Sequence, residues 1–248
     1  MKYYIAFYVF FIGLMIGSFL NVCIYRIPKN MKFTFDRSKC TTCGKELHSI
    51  DLIPVISYLS TKGKCRYCGE RISPQYPAVE LANAFLYLLA YLYYQSLSIN
   101  LVIGCALISI LIVVAVIDFQ TMEIFDRFHA IIFSLGALYV FTNKSPLTQH
   151  IIGAFAVSLP MLIISLIFNG FGGGDIKLMF ACGFLLGWKS TIVAMILACI
   201  LGSVYGAAMK MKPKTYIPFG PFLATGILIS YFFGGEIISL YLNLAGIV

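Results

Sequence analysis

Apolar residues run unbroken through most of the chain, and short polar breaks cut them into segments of membrane-spanning length. The runs are continuous rather than alternating, which predicts helices and disfavours a transmembrane barrel. The first run, Tyr3 to Tyr25, exceeds a signal-peptide core, lacks a small-x-small cleavage site and is followed by further spans. It reads as a membrane helix. The only long polar segment, residues 26–78, comes next. Further spans are predicted at about 79–95, 99–117, 124–141, 150–168, 176–188, 190–209 and 217–233. The span at 176–188 is short enough for a re-entrant or deeply buried helix. Its alternative is one long helix over 176–209, interrupted at Trp188 and Lys189. Pro160 predicts a kink in the span that contains it. No internal repeat and no low-complexity tail is seen. The predicted fold is therefore an all-α polytopic membrane protein of about eight transmembrane helices, with a small loop domain after the first.

Composition agrees. The chain is 60% hydrophobic and only 11% charged, whereas about a quarter of a soluble domain is charged. The net charge of +8 invites a nucleic-acid reading, but ten of the 18 basic residues lie between Arg26 and Arg71. A basic loop beside a membrane is what the positive-inside rule produces, so no nucleic-acid partner is expected. With residues 26–78 cytoplasmic and eight spans, Arg127, Lys177, Lys210, Lys212 and Lys214 also fall on the cytoplasmic side. Lys2, Lys144 and Lys189 remain outside. Fusing 176–209 into one helix would move the Lys210–Lys214 cluster outside and put Lys189 in mid-membrane, a costly place for a charge. Eight spans with both termini outside is the better assignment.

That topology puts two acids on one face. Asp118 closes the uncharged run Leu101–Ile117 as the chain reaches the cytoplasmic side, and Asp175 opens the next-but-two span as the chain leaves it. Ionisable groups at membrane depth are expensive and mark function by default. Asp175 follows Gly172, Gly173 and Gly174, which allow close approach by a helix or an extended peptide. Two adjacent carboxylates cannot both ionise readily, so one can serve as acid and the other as base, activating a water against a peptide carbonyl. On spacing alone, two interfacial acids that each cap a helix are equally consistent. The glycine stretch lacks the preceding strand and the Gly-Lys-Ser/Thr ending of a phosphate-binding loop. A proton- or cation-coupled transporter would also use intramembrane acids, but no inverted repeat supports it.

Cys40-x2-Cys43 and Cys65-x2-Cys68, with 21 residues between the pairs, have the spacing of a four-thiolate zinc site. A cytoplasmic loop makes disulfides a poor alternative. Four thiolates leave no open position for water, so such a metal is structural and folds a loop poor in apolar residues. Cys23, Cys105, Cys182 and Cys199 lie within spans and read as small packing residues. His48, His129 and His150 show no metal-binding pattern.

Along its whole length the chain resembles the bacterial type IV prepilin peptidases, membrane aspartic proteases of the GxGD class that double as N-methyltransferases. Gly17-Ser18-Phe19-Leu20-Asn21-Val22 and Tyr25-Arg26-Ile27-Pro28 are similar to the family's N-terminal signature. The paired cysteines, Ile53-Pro54-Val55-Ile56-Ser57-Tyr58-Leu59, Gly63-Lys64-Cys65-Arg66 and Tyr76-Pro77 with Glu80 resemble its cytoplasmic domain. Ile117-Asp118 and Gly172-Gly173-Gly174-Asp175-Ile176-Lys177-Leu178 resemble its two catalytic motifs. The resemblance implies a first membrane helix over 1–25, a cytoplasmic zinc-binding, methyltransferase-associated domain over 26–78 and a membrane aspartic peptidase domain over 79–248. It implies Asp118 and Asp175 as catalytic residues in the bacterial inner membrane, near its cytoplasmic face. The substrates would be prepilins or pseudopilins, cut after the Gly of a basic leader, and the new amino terminus would be methylated with S-adenosylmethionine as donor. A peptidase without methyl transfer, and a loop that docks assembly proteins, are the narrower alternatives. Three departures stand out: Phe125 where the family has Pro, Leu52 where Asn is common, and Gln75 where Arg is common. The first bears on the turn after Asp118, and the other two on methyl transfer.

Overall fold

The computed structural model describes residues 2–31, 38–168, 170–210 and 217–246. Lys32, Arg37, Lys212 and Lys214, which entered the charge asymmetry, lie outside the described residues. The described chain is all-helical. Its helices are α1 (Lys2–Arg26), α2 (Ile56–Ser60), α3 (Gln75–Tyr94), α4 (Ile99–Thr121), α5 (Asp126–Asn143), α6 (Leu147–Phe168), α7 (Gly173–Leu186), α8 (Trp188–Ala208) and α9 (Gly220–Leu244). Five of them, α1, α4, α6, α8 and α9, are long and apolar enough by themselves to cross a membrane. The chain divides into two compact units, 1–109 and 110–248, and the boundary falls inside α4.

In the first unit α1 and α3 cross at Gly13 and Gly17. A Cβ at either glycine would lie 2.7 Å from a backbone atom of Ala84 or Glu80, so side chains there would hold the helices apart. Buried amides tie the crossing. Asn83 donates to the Gly13 carbonyl at 2.7 Å, and Asn21 donates to the carbonyl of Tyr76 at 3.0 Å. The first half of α4 joins through Ser109, which donates to Asn83 Oδ1 at 3.1 Å and shares a 2.8 Å hydrogen bond with the Tyr87 hydroxyl. Gly17 and Asn21 of the N-terminal resemblance thus face Tyr76 and Glu80 of the cytoplasmic-domain resemblance across one helix pair.

In the second unit α7 packs against α5 and α6, and α8 pairs with α9. Gly153 of α6 and Gly183 of α7 meet backbone to backbone. Three element ends differ from expectation. α4 continues through Asp118 to Thr121, and Met122, at φ 56°, ends it one turn later than the loss of apolar character suggested. α9 passes Gly234, Gly235 and Glu236 and runs to Leu244. Gly234 is there a contact residue, since a Cβ would come within 2.9 Å of the Ser190 and Ser230 hydroxyls. Between α7 and α8 only Gly187 is non-helical, at φ 78° and ψ 162°. The break therefore lies one residue before Trp188, at the position whose backbone favours glycine.

Candidate functional site

Asp118 and Asp175 both belong to the second unit. Asp118 is buried, 5% exposed, near the end of α4. Its Oδ2 accepts a 2.8 Å hydrogen bond from the Gly220 N–H. Gly220 opens α9, so the carboxylate meets a helix end that carries partial positive charge and amides without intrahelical partners. Asp175 occupies the first turn of α7, three residues after the N-cap Gly172, and its carboxylate hydrogen-bonds back to the Gly172 backbone. That is the acid's half of a capping box. Helix capping, one of the readings the sequence leaves open, holds for Asp175. Two like charges are each held at the positive end of a helix.

The glycines before Asp175 differ in their surroundings. A Cβ on Gly174 would lie 2.9 Å from the Ile124 Cβ, so this glycine admits the turn between α4 and α5. A Cβ on Gly172 would meet the Asp175 carboxylate at 3.3 Å, and over Gly173 there is open space. Lys177 neither touches Asp175 nor points away unpaired. Its ammonium lies 2.7 Å from Asp126 Oδ1 at the start of α5. Phe125, where the family has proline, caps α5 at φ −79°, an angle a proline ring would also impose.

Sequence reasoning missed Gly220. Its role lies in having no side chain, 102 positions from Asp118. The signal available was Pro218-Phe219-Gly220-Pro221, a turn-rich break before an apolar run.

The four cysteines of the polar segment meet in the first unit, with all four sulfurs within 4.8 Å of one another and Cys40 Sγ 3.9 Å from Cys68 Sγ. Tetrahedral zinc thiolates, with bonds of about 2.3 Å, hold sulfurs about 3.8 Å apart. The donor set and its spacing fit. Two knuckles of one design build the cluster, a short repeat within the loop. The amides of Gly44 and Gly69 donate to the carbonyls of Cys40 and Cys65, each at 2.9 Å. Gly44 at φ 69° and Gly69 at φ 74° turn the chain after each pair. The Cys43 and Thr42 amides draw the Cys40 thiol down to about 6. Cys68 is pushed up to about 12: its Glu70 amide favours the thiolate, but burial and hydrogen bonds with Cys65, Cys43 and Cys40 outweigh it. A divalent cation is what would let all four sulfurs bind as thiolates. Asp51 braces the second knuckle, accepting from the Tyr67 hydroxyl at 2.8 Å and pairing with Arg66 at 2.9 Å.

The sequence matches the Bacterial Peptidase A24 N-terminal domain over residues 11–94 and the Type IV leader peptidase family over residues 105–207. Among similar proteins is a prepilin leader peptidase/N-methyltransferase of Bacillus subtilis (strain 168), 37% identical over 244 residues, which cover 95% of this chain and 97% of the relative. Proteins of the same description from Klebsiella pneumoniae and Vibrio cholerae are 34% and 33% identical. The first match covers 77% of this chain and 89% of the relative, the second 89% and 94%. No solved structure matches the chain.

Proposed function

The chain belongs to the type IV leader peptidase family, and on that premise we propose that Asp118 and Asp175 jointly activate the water that cleaves a prepilin leader. The activity is removal of the leader from prepilins or pseudopilins, with N-methylation of the new amino terminus. The observation that supports the assignment is the placement of both acids in one unit, each against the amide end of a helix. Such a pair shares one proton. The ionised carboxylate accepts a proton from water as the water oxygen bonds to the scissile carbonyl carbon, and the protonated partner donates to the carbonyl oxygen. Collapse of the tetrahedral intermediate breaks the C–N bond, and a proton returns to the leaving amine. The pair titrates as a unit, so acid and base are roles of the pair rather than of either residue.

Gly173 has open space above it, and the substrate backbone is proposed to pass there after the Gly of its leader. Gly172 and Gly174 shape the same approach from their packed positions. Zinc is proposed for Cys40, Cys43, Cys65 and Cys68, where it would supply cross-linking and no chemistry. Methyl transfer from S-adenosylmethionine rests on the family alone, and no residue is given a part in it. The charge asymmetry supports eight spans in the bacterial inner membrane, with the acids at the cytoplasmic face. It also supports the division into helix 1–25, cytoplasmic domain 26–78 and peptidase domain 79–248.

Asp118→Asn and Asp175→Asn should each lower cleavage of a synthetic prepilin peptide by about 10³-fold, the range of a lost acid–base catalyst. Both proteins should still insert into the membrane. Near-parental cleavage by either one would overturn the assignment.

A further inference from the structure

We propose that the turn Pro218-Phe219-Gly220-Pro221 is a third arm of the active site, with Gly220 as the positioning residue for Asp118. The inference rests on the reading of Asp118 and Asp175 as the catalytic pair.

The first turn of α9 has few amides to give. Pro221 has no N–H, and the amides of Phe222 and Leu223 already donate to the Phe219 carbonyl at 3.1 and 3.0 Å. The Gly220 amide goes instead to Asp118 Oδ2 at 2.8 Å, inside the buried part of the unit. Turn geometry does not explain why this residue is glycine, because Gly220 is not among the positive-φ residues. Space explains it. A Cβ would lie 2.7 Å from Asp118 Oδ2, 2.8 Å from Cγ and 2.9 Å from Cβ. Only hydrogen at this position lets the carboxylate sit against the amide.

The same turn reaches the other carboxylate's loop. The Phe219 ring lies 5.8 Å from Phe171, the residue before the N-cap Gly172 of α7. Ser165 of α6 fixes Phe171 by donating to its carbonyl at 2.9 Å. On its far side the turn rests on α8. A Cβ on Gly202 would be 3.4 Å from Phe219 and 3.5 Å from Phe222, and the Tyr205 ring lies tilted against Phe222 with centroids 5.3 Å apart. One rigid turn thus holds Asp118 by an amide and the Asp175 loop by a ring, and it sets the spacing between the acids. Such alignment is worth a great deal, since a displacement of about 1 Å at a reacting group can cost about 100-fold in rate.

The test uses the full chain in liposomes with a synthetic prepilin peptide. Gly220→Ala should lower kcat by about 100-fold and leave KM within about threefold. Gly235→Ala, in the same helix with nothing near its Cβ, should cleave like the parent. Methyl transfer to an already cleaved peptide should persist in both, which separates lost alignment from lost fold. A Gly220→Ala kcat within about twofold of the Gly235→Ala value overturns the proposal. If Gly220→Ala loses both activities, Phe219→Leu decides. Its kcat should fall by about 10-fold with methyl transfer intact, and an unchanged kcat overturns the proposal. Asp118→Asn is measured alongside. Cleavage retained there defeats the catalytic pair itself, whereas inactive Asp118→Asn beside active Gly220→Ala defeats only the third arm.

Discussion

Asp118 and Asp175 are held by backbone amides, while the nearby cation, Lys177, pairs with Asp126. An amide donor stabilises a carboxylate without adding a formal charge that the membrane would have to accommodate. A second buried acid follows the same principle in the first unit. Glu80 Oε2 accepts the Val55 amide at 2.8 Å. Val55 sits at φ 61° and ψ −48°, with the Ile56 amide donating across it to the Pro54 carbonyl at 2.6 Å. That is a γ-turn of the rare, strained kind, and a β-branched residue at its centre is uncommon. Replacing Glu80 by Ala leaves the Val55 amide without its charged partner, at a cost of about 2 kcal/mol. A thermal-denaturation midpoint in detergent should fall accordingly, and an unchanged midpoint would show that the bond does not hold the turn. At this scale the sequence was informative where the signal was a charge in an apolar run, as at Asp118, or a spacing, as at the cysteines. It was silent where a close contact depends on a missing side chain, as at Gly220, or on a partner distant along the chain, as for Lys177 and Asp126.

Among the elements, helix identity was more legible than helix ends. Every predicted span corresponds to a helix, because long apolar runs have no other use for their backbone groups in lipid. The ends were set by contacts that composition does not encode. Asp118 lies one turn inside α4, which Met122 ends at φ 56°, and α9 continues past Gly234, whose missing side chain leaves room for the Ser190 hydroxyl. The polar segment posed the opposite problem. It has few apolar residues, and its order comes from two cysteine knuckles and the Asp51 contacts. Stripping metal with a chelator should therefore expose Lys64, Arg66 and Arg71 to trypsin, while far-UV circular dichroism hardly changes. A loop that resists trypsin after verified metal loss would refute metal-dependent order. Cobalt in place of the native ion should report tetrahedral thiolate ligation in its visible spectrum.

At the scale of the molecule, Asp118 and Asp175, the proposed catalytic pair, lie wholly in the second unit and the cysteine cluster wholly in the first. Asp118→Asn and Asp175→Asn should accordingly still methylate a peptide that begins at the mature amino terminus. Transfer of labelled methyl groups to such a peptide checks this, and its loss in both variants would mean that the two reactions share a site. One dimension of α7 carries a consequence for the lipid. Its 14 residues make a rod of about 21 Å, whereas the hydrocarbon core of a bilayer is about 30 Å thick. On the proposed topology the bilayer would have to thin, or water to enter, at an end of α7, and Asp175 lies in its first turn. Leader cleavage in liposomes should then vary with acyl-chain length, and a rate indifferent to bilayer thickness would count against α7 as a span.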